Sequence, residues 1–234
     1  MQVAGVDACK GGWICITRDL VSREISSQVV ASISPLLDRV ARPAVVAIDI
    51  PIGLPETGRR RCEQLARKML GSPRASSVFP APIRPALVAS SRKEADAITR
   101  SVDGRGVGAQ AWGLYFRIRE VDRILTADAT AREITYEVHP EVSFTQWNRG
   151  EAVVESKKSA TGMAIRRRLI DGYFGEAARN QVRRQQPRSL VADDDINDAF
   201  AALWTAARIY SGSARVMPDP PDIDSNGIAM GIWY

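Results

Sequence analysis

Apolar positions along this chain switch between runs and alternations of strand type and stripes of helical period. Val3–Val6 form a short apolar run that reads as a buried strand, with Asp7 following it. After Gly11-Gly12, residues 13–20 (WICITRDL) alternate and are β-branched, which predicts a second strand joined through a short glycine-rich hairpin. Residues 24–32 predict a third strand. Ser34-Pro35 opens a short helix to about Val40, with proline in the tolerated first turn. Residues 44–50 (AVVAIDI) are a continuous apolar run, as in a central strand buried on both faces, and they too end in a carboxylate, Asp49.

Beyond that strand the period changes. The stretch 51–58 is loop, with two prolines and two glycines. Cys62, Leu65, Ala66 and Met69 recur at helical spacing and predict a helix over 60–70. Residues 72–87 hold four prolines and cannot be regular throughout. A helix is expected near 92–99, a loop at 104–108, and a strong helix over 110–125 on Leu114, Ile118, Val121 and Leu125. Residues 133–144 start as a strand interrupted at Pro140. Helices follow over 160–172 and 174–185. The clearest helix is 193–210, where Ile196, Phe200, Leu203, Ala207 and Tyr210 form one stripe and Asp193 or Asp194 can cap the start. The tail, 227–234, reads as a final strand or packed extension.

A meander of three strands, a crossover helix and then a parallel strand make an α/β layer architecture. The expected organisation is a single domain, 1–234, with a helical insertion at about 56–130 ahead of the fifth strand.

Composition narrows the class. Apolar residues make up 45% of the chain and charged residues 25%, as in soluble globular proteins. No apolar run approaches the roughly 20 residues of a membrane span, and no signal peptide is visible, so the expected location is the cytoplasm. Cys9, Cys15 and Cys62 are odd in number and form no CxxC pair, which argues against a disulfide framework or a zinc site. There is no GxGxxG, no GxxxxGK[ST] and no GxSxG, so a phosphate-cradling loop and a serine triad have little support. The net charge is +5, and the basic residues are clumped around Arg59–Lys68, Arg166–Arg168 and Arg179–Arg188. Such clusters either attract polyanions or form a solvated surface.

The acids carry the candidate chemistry. Asp7 and Asp49 end two apolar strands, while Asp195 and Asp198 share one side of the long helix near its start. If the first and fourth strands are neighbours, these carboxylates converge. Like charges so close repel and raise one another's pKa, so a cation is expected among them. All-oxygen donors select a hard ion, Mg²⁺ or Mn²⁺. Individually, each acid could instead be a turn former or serve the helix dipole, the role expected of Asp194. Glu137 is a further candidate acid by position. His139, the only histidine, reads as a packed residue. Glu63 with Arg60 and Arg67 could brace loop 51–58, and Arg119, Glu120 and Asp122 suit structural salt bridges at least as well as a catalytic role.

The segments GVDACKGGW, IDIPIGLP, RRRCEQLARKMLGSPRASSVFPAP, QAWGLYFRIREVD, YEVHPEVSF and DDINDAFAALWTA, in this order, resemble the family called domain of unknown function 429. That family is regarded as predicted nucleases of the ribonuclease H-like superfamily. The resemblance implies a mixed five-stranded sheet of three antiparallel and two parallel strands flanked by helices. It matches Asp7 and Asp49 to the superfamily's strand acids, and Asp195-x-x-Asp198-Ala199 looks like the helix of RuvC-type junction resolvases. The resolvases carry Glu where this chain has Asp49, and they do not account for Glu137.

The expectation is a metal-dependent nuclease acting on DNA or RNA. Asp7 would bridge two Mg²⁺ or Mn²⁺ ions, Asp49 and Asp198 would each hold one, Asp195 would assist, Glu137 would be a further acid of the site, and Lys10, Arg59, Arg60 and Arg61 would hold the phosphate backbone. Pairing into a homodimer is a further implication of the resolvase likeness. The alternatives are a non-catalytic nucleic-acid or nucleotide binding module of the same fold, and an actin-like ATP-dependent phosphotransferase.

Overall fold

A computed structural model describes residues 1–37 and 42–234. Its centre is a five-stranded sheet in the order β3-β2-β1-β4-β5. The strands are β1 (Gln2–Cys9), β2 (Gly12–Asp19), β3 (Ile25–Val30), β4 (Val45–Ile48) and β5 (Thr135–Glu137). β1, β2 and β3 form an antiparallel meander, whereas β4 pairs parallel to β1 and β5 parallel to β4. This is the mixed sheet of three antiparallel and two parallel strands that the ribonuclease H-like resemblance implied.

The β1–β2 turn answers to its glycines. Gly12 has φ +122°, and a Cβ there would overlap the backbone of Val30 and Ala31 on β3. β1 runs on to Cys9, so Asp7 lies within the strand, not at its end.

Residue parity divides β1 and β4 between two cores. Val3, Cys9, Val45 and Ala47 pack into one, with α6 (Pro140–Trp147), α7 (Ala160–Phe174), α8 (Glu176–Gln185) and α9 (Asp193–Tyr210). Ala4, Val6, Val46 and Ile48 pack into the other, with α1 (Ser34–Leu37), α4 (Ala109–Ala127) and α5 (Ala129–Ile134). Helices therefore cover both faces of the sheet, as its continuous apolar strands require. The expected continuation of α1 to Val40 lies outside the described residues.

α9 is the central helix. All its residues from Ile196 to Ala207 are buried, so the sheet covers one side and α6 and α7 another. The apolar stripe understated this, because the alanines and Thr205 are buried too. Tyr210, placed on the stripe, is largely exposed.

The insertion between β4 and β5 is helical: α2 (Arg61–Leu70), two short 3₁₀ segments at Arg74–Ser77 and Arg84–Val88, α3 (Arg92–Asp103), α4 and α5. Two elements differ from expectation. Residues 140–144 are not strand, because Pro140 opens α6 at the first-turn position that proline tolerates. The tail strand β7 (Ala229–Trp233) pairs with β6 (Val216–Ile223), which its three prolines had hidden; the register shifts between Met217 and Asp222. All three cysteines are free and buried. Among the described residues no helix is long and apolar enough to cross a membrane.

Candidate active site

Asp7 and Asp49 are brought together by register. Asp49 stands one residue beyond β4, and its backbone N–H donates to the Val6 carbonyl at 3.0 Å, extending the β1–β4 pairing. Parity puts both carboxylates on the α9 face, in line with Val3, Gly5, Val45 and Ala47. α9 then lies unusually close to β1, because a Cβ on Gly5 would overlap the backbone of Leu203 and Ala199. Five residues before Leu203, the helix presents Asp198.

These carboxylates line one cleft of about 490 Å³, with Asp195, Glu141 and Lys157. Asp7 is 7% exposed and Asp198 2%. Burial pushes the Asp7 carboxyl well above its ordinary range, and the charges of Asp49 and Asp198 add to the rise. Burial likewise raises Asp49 to about 7 and Asp198 to about 7, with Lys157 working in the opposite sense. These shifts are the signature of crowded acids short of countercharge.

Lys157 supplies part of that countercharge. Its Nζ donates to Asp198 Oδ2 at 2.5 Å and lies 3.9 Å from Asp194 Oδ2. Burial disfavours its charge, but Asp198, Asp7 and Asp49 more than compensate and hold its pKa above the usual lysine value. Nothing in the sequence pointed to this residue; it sits in the loop before α7 as one of two adjacent lysines. Asp194, expected to serve only the helix dipole, thus also faces this ammonium.

Asp195 has a second task. Its Oδ2 accepts from the Ala192 backbone N–H at 2.9 Å, so Asp195 makes the cap expected of Asp193 or Asp194. Asp193 instead gathers Arg167, Arg183 and Arg188.

Glu137 is not among the residues lining the cleft. Tyr136 on β5 and Val138 just beyond it face the α9 core, so Glu137 points to the other side of the sheet. There Arg60 grips it with two bonds of 2.6 and 2.9 Å, and its Oε2 also accepts from Ile52 N–H at 2.7 Å. Arg60 also donates to Glu63 at 2.8 Å and to the Ile52 carbonyl at 3.0 Å. The brace expected of Glu63 and Arg60 is therefore present, with Glu137 at its centre, whereas Arg67 donates to the Val78 carbonyl at 2.7 Å instead. Arg60 is buried and fully engaged, so it is not available to a nucleic-acid backbone. Lys10, Arg59 and Arg61 are exposed, but none of them lines the cleft; Arg61 pairs with Asp222.

Other basic residues are similarly committed. Arg166 is buried and holds both oxygens of Glu141 at 2.8 and 2.6 Å, bracing α6 against α7. Arg179 pairs with Asp171. On α4, Arg119 donates to the Leu87 and Ala89 carbonyls, Glu120 accepts from Trp13 Nε1 and Ile33 N–H, and Asp122 pairs with Arg84. Among the described residues, only Asp122 of these three makes a salt bridge of the kind expected; Arg119 and Glu120 bond backbone and indole groups instead. The cations that do line the cleft are Arg74, Lys157 and Lys158.

His139 also lines the cleft. Its Nε2 lies 3.3 Å from the Ser77 carbonyl, and burial lowers its pKa. Since a carbonyl only accepts, Nε2 carries the proton and the buried, unpartnered Nδ1 is a free acceptor.

The donors fit a hard cation in kind. Asp198 Oδ1 is buried without a partner, and the Asp49 carboxylate makes no hydrogen bond among the described residues. They are not yet a cage: among the described residues no three His, Cys, Asp or Glu side chains are already gathered as a metal cluster. One oxygen of Asp198 is taken by the Lys157 ammonium.

The sequence matches, over residues 5–223, the family described as a protein of unknown function, DUF429. The match spans nearly the whole chain, and the chain belongs to that family. No curated protein and no solved structure gives a match.

Proposed function

We propose that this DUF429 member is a metal-dependent nuclease that hydrolyses phosphodiester bonds of nucleic acid. The observation that supports it is the convergence of Asp7, Asp49 and Asp198 from three separate elements into one cleft, with Asp198 Oδ1 left unpartnered. Buried acids placed this way are costly unless a cation joins them. Asp7, Asp49 and Asp198 would hold Mg²⁺ or Mn²⁺, with the free oxygen of Asp195 beside them. Divalent ions bound there would activate water and neutralise charge developing on the phosphate.

The chain's own residues set the stage for that chemistry. The β1–β4 pairing fixes Asp7 against Asp49. Glu141 and Arg166 lock the wall formed by α6 and α7. The Lys157 ammonium, which pairs with Asp198 at the edge of the site, would be placed to meet a phosphate oxygen. His139 Nδ1 can accept a proton from within the cleft.

The test is a panel of labelled DNA and RNA strands, duplexes and junctions incubated with Mg²⁺, Mn²⁺ or EDTA. Cleavage that needs the ion and is lost in Asp7→Asn is expected; metal-independent cleavage, or none on any substrate, rules the proposal out. The Lys157–Asp198 contact favours a second reading, a nucleic-acid binding module in which lysine is the permanent counterion. Binding without cleavage, unaffected by EDTA, would select it.

A further inference from the structure

The cleft has a part that the acid chemistry does not use. Besides the carboxylates, it is lined by Arg74, Ser77, Phe79, Gln110 and Leu114, from the 3₁₀ segment, the residues after it and the start of α4. Phe79 is 42% exposed, a large aromatic surface left open at a polar site. The half-buried Leu114 adds a second apolar surface. Gln110 is exposed, and its amide makes no hydrogen bond among the described residues. Arg74 has a buried Nε without a partner, and the same is true of His139 Nδ1 and Asp198 Oδ1. An unpartnered Nε recurs on arginines elsewhere in the protein, but His139 Nδ1 and Asp198 Oδ1 both border this one cleft, and a ligand or water there would complete them.

We propose that this second part is a base-binding wall, so that the cleft takes one unpaired nucleotide of a single-stranded nucleic acid. The proposal rests on the nucleic-acid reading above and names its substrate class. The phosphate sits at the carboxylates and Lys157, with Arg74 donating to it, and the base stacks on Phe79. The Gln110 amide, which both donates and accepts, meets the edge of the base. A cleft of about 490 Å³ encloses a unit of small-molecule size, not a length of duplex. Stacking on an aromatic ring tolerates any base but needs its face free, a condition met by single strands and denied by a paired stack.

The experiment measures equilibrium binding by fluorescence anisotropy. It uses the protein with Asp7 intact and millimolar Ca²⁺ in place of Mg²⁺, so that the carboxylates keep a cation for the phosphate, with a fluorescein-labelled single strand, the same sequence as duplex, and an abasic strand of equal length. The single strand is expected to bind at least about tenfold more tightly than the duplex or the abasic strand. Adding Phe79→Ala should weaken single-strand binding about tenfold, and Phe79→Trp should preserve it. Phe79 is exposed, so an unchanged melting temperature confirms that the fold is intact. Duplex binding as tight as single-strand binding, an unaffected Phe79→Ala variant, or no binding to any strand overturns the base wall. With Mg²⁺ restored, the wild-type protein separates the two proposals. Metal-dependent cleavage of duplex alone removes the base wall and leaves the nuclease; Phe79-dependent binding without cleavage does the reverse.

Discussion

Gly5 of β1 lies directly beneath the Leu203 backbone of α9, with no room for a Cβ between strand and helix. The contact sets the height of α9 above the sheet and so brings Asp198 down to Asp7. Gly5→Ala should therefore cost stability, about 1–3 kcal/mol from overpacking, and weaken the response to divalent ions as well. Urea denaturation and Mn²⁺ titration of the same protein check both effects. A variant as stable as the wild type would show that the helix can lift freely.

Asp7→Asn removes a buried charge that repels Asp49 and Asp198. Without metal the variant should melt at the wild-type temperature or above it. With millimolar Mn²⁺ the wild type should gain a saturable rise in Tm by ligand linkage, and the variant should not. Equal shifts in both proteins would place the ion elsewhere.

The acid cluster also sets a pH dependence. Asp49 and Asp198 stand at about 7, raised mainly by burial, against an ordinary aspartate value of roughly 3.9 in the unfolded chain. The folded protein therefore holds protons that the unfolded chain has released. In EDTA this contribution to stability is complete below about pH 4 and is lost as the pH rises through about 7. A divalent ion competes with those protons, so its stabilising shift should grow from about pH 5 to about pH 8. Thermal melts across this range, with and without Mn²⁺, check the sign; a shift independent of pH would detach the metal from these acids.

Lys157→Met tests the resident countercharge. Without metal it should destabilise the protein, by less than the roughly 3–5 kcal/mol of a broken buried pair, because the ammonium is 38% exposed. Divalent affinity should rise, since the ion no longer displaces a lysine. Calorimetric titration with Mn²⁺ measures it, and a fall in affinity would show that Lys157 supports the ion.

Glu137→Gln separates brace from ligand. Leaving Arg60 and its neighbours unbalanced should cost about 3–5 kcal/mol. The affinity for Mn²⁺ should stay at the wild-type value while the protein remains folded. A large drop in metal affinity at unchanged stability would return Glu137 to the site.

Local pattern was enough for much of this molecule. Unbroken apolar runs, the glycine turn and the proline-tolerant helix starts marked the strands and the helical insertion along the chain, because each depends on neighbours within a few residues. Asp7 and Asp49 stood out as carboxylates following apolar runs, and the β1–β4 pairing then brought them together. The long helix announced itself by its stripe, and Asp195 and Asp198 by their spacing. Contacts between distant segments were decided only in three dimensions. Glu137 looked like a site acid by its position in the strand before Pro140. Pairing of β5 with β4 turned it to the opposite face, onto Arg60 from 77 residues away. Lys157 carries no local mark, and its role exists only because the loop before α7 folds over α9. The tail shows the same limit: β6 is full of prolines and reads as loop, yet β7 supplies the partner that makes it a strand. Periodicity reports which side of an element is apolar; what a charged side chain meets there depends on chain far away in sequence.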